Sequence, residues 1–241
     1  MPNNLISNIN NNKIIKKDIL EYEYDETAWL GSYDNVLDIC FYDLSIYQKN
    51  YDILVNKSLK KYSALGEDFI DELGVPYGCA VVAILNVAAQ NNLFTVRNAG
   101  NSQYNKSAIK AEYLKIWSWA SPYNGDVDAT LIGKIVYAYG EVECKKTVTY
   151  TDKKNPTIGF FTNAVDSNRS SILGAIGDLD GKKAGHAFNV IGYLTYKRKS
   201  DSRQKTLLKV ATGWGYDNDI GYIDYENLNL RETYGSKFVF K

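Results

Sequence analysis

A chain of 241 residues has the length of one domain, or of one domain in two halves, and is long enough to bury a sizeable core. Lys plus Arg and Asp plus Glu both total 28, so the formal net charge is zero and no basic excess points to nucleic acid or an anionic membrane surface. The hydrophobic share of 45% and charged share of 23% are those of an ordinary globular protein, and no apolar run approaches the roughly 20 residues needed to span a bilayer.

Met1-Pro2-Asn3-Asn4 lacks the charged-then-apolar order of a secretory signal. The expected location is therefore the cytoplasm, or outside it after loss of a leader. Residues 1–12 are Asn-rich, and weak alternation over 19–24 reads as a short strand. Over 36–59, Leu37, Cys40, Phe41, Leu44, Tyr47, Tyr51, Leu54 and Val55 follow helical spacing, which predicts a helix. Pro76 interrupts the pattern between Gly66 and Gly78. The segment 79–90, CAVVAILNVAAQ, is apolar nearly all round and predicts a helix buried on most sides. Amphipathic helices are expected over 110–120 and 128–139. After Gly140 the chain turns β-rich, with strands expected at 146–150, 157–161, 186–196, 207–211 and 221–225. The polar stretch 197–204 reads as a hairpin tip. Helices first and sheet second describe an α+β protein in two lobes, with a cleft between them as a natural site.

Cys40, Cys79 and Cys144 are odd in number and widely spaced, so no disulfide framework is expected. With one histidine and no Cys-x-x-Cys pair, no metal site or cofactor is expected either. Asp178-Leu179-Asp180-Gly181 lacks the ligand spacing of a calcium loop and reads as a turn. Cys40 and Cys144 read as structural thiols. Trp117 and Trp119, with Tyr113 and Tyr123, read as a packed helix surface in preference to a substrate groove.

Cys79 opens its helix behind Gly78. Unpaired N–H groups and the helix dipole there favour a thiolate, and an imidazolium alongside would favour it further, giving an ion pair able to attack an acyl carbon. Gly78 lets a substrate backbone approach closely. His186, the sole imidazole, heads a strand behind Gly185. Each residue has a structural alternative, a small core thiol or a hydrogen-bonded strand histidine. Together they favour a nucleophile and its base.

Tyr-Gly-Cys-Ala opening a helix, then Gly-His-Ala-Phe-x-Val-x-Gly-Tyr, a hairpin, and Val-Ala-Thr-Gly-Trp-Gly before Gly-Tyr-Ile-Asp-Tyr, resembles the papain-like cysteine peptidases, in particular the streptopain and bacteriocin-leader-peptidase-like branches. The resemblance covers about 70–241. It implies a papain-like domain over 63–241, with a helical lobe over about 63–140 and an antiparallel β-barrel-like lobe over about 141–241. Residues 1–62 exceed what the resemblance requires; they read as an N-terminal extension packed on the core, in preference to an inhibitory segment over the cleft, because no flexible linker separates Leu59 from Gly66. The resemblance further implies Cys79 as nucleophile, His186 as base, a protein or peptide substrate, and Trp214 sheltering the histidine, with Gly78, Gly185 and Trp214 beside the substrate. The strand that commonly precedes the histidine segment would fall at Pro156-Thr157-Ile158-Gly159-Phe160-Phe161.

Two positions depart from the family. Thr212 stands where Asn or Asp usually orients the histidine; its hydroxyl could accept that bond, with Asp217 or Asn218 as substitutes. Leu73 stands nearest the usual oxyanion Gln, leaving the Cys79 backbone N–H as donor. The alternatives to a peptidase are a papain-like scaffold retained for binding, and a transglutaminase- or acyltransferase-like enzyme.

Overall fold

A computed structural model describes residues 39–241, except Tyr77, Asn101, Asn124 and Asp126. The Asn-rich segment 1–12 and the strand expected over 19–24 lie outside the described residues.

The longest apolar run of the β-rich half builds the spine. Strand β5 (Lys182–Arg198) is flanked on both edges. A two-residue turn links it to β4 (Ser171–Leu179): Asp180 and Gly181 have φ of 51° and 74°, the left-handed pair that a tight hairpin requires. β4 and β5 align Ala175 opposite His186. On the other edge β5 pairs with β6 (Gln204–Ala211), which pairs with β7 (Ile220–Ile223) and then β1 (Cys40–Phe41). Beyond β4 come β8 (Glu232–Phe240) and β3 (Val148–Lys154). β2 (Tyr51–Ser58) pairs with the far end of β5. All these pairings are antiparallel.

The helices are α1 (Ser45–Asn50), α2 (Glu67–Glu72), α3 (Cys79–Gln90), α4 (Lys106–Ala120), α5 (Ile132–Ala138) and α6 (Ile158–Asp166). Every α3 residue from Ala80 to Ala89 is buried, as an all-round apolar sequence requires. It packs among Ile109, Tyr113 and Ile116 of α4, Ile132 and Val136 of α5, and Ile172, Ala187 and Phe238 of the sheet. A second core joins Phe161 and Val165 of α6 to Leu173, Phe188, Val190 and Leu208. Polar ties complete the seating of α3. Asn86 exchanges two bonds with the Leu65 backbone, at 2.9 and 2.8 Å, and the Asn189 amide of β5 donates to the Ala83 carbonyl at 2.9 Å. Helices and antiparallel sheet thus make an α+β fold.

Two expectations are corrected. The segment 36–59 is not one helix: its described part is β1, the short α1 and β2. The helical spacing there comes from residues serving different elements, since Cys40 is buried in a strand and Tyr47 and Tyr51 pack with Tyr196. Residues 157–161 form the start of α6 instead of a strand. Ile158, Phe161, Ala164 and Val165 recur at helical spacing, and Asn168, at φ 52°, closes the helix with Asn168 N–H to the Val165 carbonyl and Arg169 N–H to the Ala164 carbonyl. The strand that precedes the histidine strand is β4.

Residues 40–58 supply two strands of the sheet, so a chain lacking residues 1–60 should expose the edge of β5 and lose solubility. Yield and sedimentation of that truncation check this. A soluble, monodisperse product more active than the full chain would instead mark the segment as an inhibitor.

Candidate active site

Gly78 is the N-cap of α3 and Cys79 its first residue. A side chain at Gly78 would press to 2.6 Å from the Gly125 carbonyl, so the glycine is required by the close approach of another backbone. Below it, Tyr113 stacks on Trp117 with ring centroids 6.1 Å apart, and Tyr113 is fully buried. These rings pack the helix surface beneath α3.

Cys79 and His186 line one cavity of about 320 Å³, together with Asp128, Ala129, Gly174, Lys183 and Gly185 among others. His186 is 7% exposed. It shares its face of β5 with Phe188, whose ring centroid lies 4.6 Å away, while Ala187 packs into the α3 core. Thr212 and Trp214 both touch the imidazole. Its Nε2 lies 2.6 Å from the Thr212 carbonyl, which can only accept, so Nε2 carries the proton. Nδ1 then holds the lone pair, and the Trp214 indole N–H donates to it at 3.1 Å. The indole also covers the ring, centroid to centroid at 4.5 Å.

Three details differ from the sequence reading. The Thr212 group on the ring is the backbone carbonyl, not the hydroxyl; the hydroxyl donates to Asp219 at 2.6 Å. Neither proposed substitute reaches the histidine through a described bond. Asp217 accepts from the Tyr104 hydroxyl at 2.6 Å, and the Asn218 amide donates to Asp217. Asp219 is the carboxylate the sequence reading missed, although it lies only one residue past the stretch considered. Finally, burial pushes the His186 pKa down to about 4, against the smaller opposing effects of the Thr212 carbonyl and Asp219. The ring is neutral at pH 7, so it does not supply the imidazolium half of the expected ion pair at rest.

The other thiols are disfavoured as nucleophiles. Burial drives the Cys40 pKa far up and also raises that of Cys144. No disulfide forms. Leu73 is buried at the end of α2, and its carbonyl accepts from Lys110 Nζ at 2.7 Å, so an apolar core residue occupies the neighbourhood of the usual Gln. Among the described residues no cluster of three or more His, Cys, Asp or Glu could hold a metal ion, and no helix is long and apolar enough to cross a membrane.

The loop carrying Trp214 is pinned from below by the start of α2. Gly66, Glu67 and Asp68 donate their backbone N–H groups to the carbonyls of Tyr216, Gly213 and Trp214 at 3.0, 2.8 and 3.3 Å. The Glu67 carboxyl is raised to about 7, by burial first and then by Asp68.

No protein-family model matches this chain, and no curated protein matches it. Among solved structures, the active interpain A cysteine protease of Prevotella intermedia is similar to it, with 16% identity, a TM-score of 0.39, and coverage of 67% of this chain and 81% of that one. A likeness of that size says nothing about chemistry.

Glu67 and His186 oppose one another as pH falls. Below its unfolded value of 6.5, the buried neutral His186 costs folding stability, reaching about 3 kcal/mol once pH passes 4. Glu67 takes up its proton near 7 in the folded state, so acidification from 7 toward 4.5 favours folding. Between pH 7 and 5 these two contributions nearly cancel. Glu67→Gln should unmask the histidine, giving stability that falls steadily over that interval in urea titrations. Parallel curves for the variant and the native chain would refute the opposition.

Trp214→Phe keeps an aromatic cover but removes the donor to Nδ1. Because that donor favours the neutral ring, the variant's histidine should titrate about one unit higher. With a single histidine in the chain, proton NMR of its ring reads this directly. An unchanged midpoint would show that the indole bond has no hold on the ring.

Proposed function

We propose that this protein is a thiol-dependent acyl hydrolase of the papain-like kind, acting on peptide or isopeptide bonds through Cys79 and His186. The observation that carries this reading is the shared cavity: the first residue of a buried helix and the sole imidazole line the same space. In the reaction, the Cys79 thiol gives its proton to Nδ1 as sulfur attacks the acyl carbon, and the first-turn N–H groups of α3 face the developing oxyanion. Nε2–H stays on the Thr212 carbonyl throughout. Nδ1–H then protonates the leaving amine, and water hydrolyses the thioester. No cofactor enters these steps.

Nδ1 must be released by Trp214 before it can act, and that contact favours a second reading, a binding module that keeps the scaffold without the chemistry. Two measurements separate them. Cys79→Ala and His186→Ala should each abolish hydrolysis of a peptide library while leaving circular dichroism unchanged. Iodoacetamide at neutral pH should label Cys79 well before Cys40 or Cys144, whose thiols burial disfavours. Hydrolysis surviving in purified Cys79→Ala would eliminate the mechanism; equal labelling of all three cysteines would favour the binding module.

A further inference from the structure

We propose that Asp219 is the positioning residue for His186, holding Thr212 from two sides so that the Thr212 carbonyl fixes the ring as the Nε2–H tautomer, with the carboxylate as a negative charge behind it. The bonds are specific. The Thr212 N–H donates to the Asp219 carbonyl at 2.9 Å, and the Thr212 hydroxyl donates to the Asp219 carboxylate at 2.6 Å. The same carboxylate oxygen accepts the Gly215 N–H at 3.0 Å, beyond the Trp214 whose indole covers the ring. Residues 212–215 are therefore tied to one side chain at both ends. A backbone carbonyl cannot swing on its own side-chain torsions, so its aim at Nε2 is set by whatever holds its residue. Here that is Asp219.

The charge is left to act. Among the described residues, the titratable groups facing Asp219 are the Tyr42 hydroxyl at 3.4 Å, the buried Cys40 thiol and, from α2, the Asp68 carboxylate. None is a cation, and none of the ion pairs among the described residues includes Asp219. Its field favours a protonated His186, opposing the burial that disfavours it. No proton passes to Asp219: the thiol proton goes to Nδ1, and the Nε2 and Thr212 hydroxyl protons stay where they are. Where the family resemblance would set an Asn or Asp directly on the ring, a carboxylate here acts on it through Thr212.

The catalytic consequence rests on the proposed hydrolase reading, but the positioning does not, and the test keeps them apart. Asp219→Asn can still accept both bonds through its amide oxygen while losing the charge; Asp219→Ala loses both. Nitrogen NMR of the single imidazole reports tautomer and titration without any substrate. Asp219→Asn should keep the Nε2–H tautomer with a titration midpoint about one unit lower, and a turnover about tenfold lower at unchanged KM. Asp219→Ala should lose the tautomer preference; should it fail to fold, Asp219→Asn alone decides. An Asp219→Asn midpoint equal to that of the native chain would overturn the proposal. A native chain without hydrolytic activity would refute the hydrolase reading and leave the NMR result to stand by itself.

Discussion

The burial of α3 against β5 is the constraint on which the rest depends. A helix apolar on every side has no solvent face to spare, so it must be enclosed before anything else is placed. Enclosure is completed by polar bonds that only one seating satisfies, the Asn189 amide on the Ala83 carbonyl and the Asn86 amide on Leu65. Leaving any of those groups buried without a partner would cost about 1–3 kcal/mol. Cys79 sits at the end of this fixed rod, and its position follows from the core.

His186 is placed by a different set of forces. Its strand belongs to the same sheet, but the ring turns toward the face lined by Phe188 and is held by the loop 212–215. That loop is fastened on one side by the N–H groups at the start of α2 and on another by Asp219. The two halves of the candidate site therefore meet through separate anchorages, helix packing for the thiol and loop hydrogen bonding for the imidazole. Substitutions in the loop can retune the imidazole without disturbing the seat of Cys79.

What the sequence made legible follows the same division. α3 and β5 were readable because their apolar runs are long and each belongs to one element, and the Asp180-Gly181 turn was readable from its residue types. The segment 36–59 misled because its apolar residues serve two strands and a short helix in turn. α6 was hidden by its aromatic pair, Phe160 and Phe161, which favours strand by propensity; its closing Asn168 was the overlooked signal. β8, with its alternation broken by Gly235 and Ser236, takes its place from pairing with β3 and β4, which no local pattern encodes. At the site, residue types pointed to Cys79 and His186, and the family resemblance to Thr212 and Trp214, but neither to which atoms would meet. A carbonyl on Nε2 and a carboxylate from Asp219 are tertiary facts.

The Trp214 bond weighs on whether such a ring can serve as a base. A neutral N–H donor on a neutral nitrogen contributes about 1 kcal/mol net. Burial of the imidazole, which lowers its pKa to about 4, opposes the charged state by about 3 kcal/mol. The indole is thus the smaller obstacle, and the larger one is desolvation. That obstacle bears on an imidazolium standing at rest in the buried site. A neutral His186 backed by a carboxylate fits a base that charges only during attack. It does not fit a standing imidazolium, and that distinction is a consequence of how deeply this ring is buried.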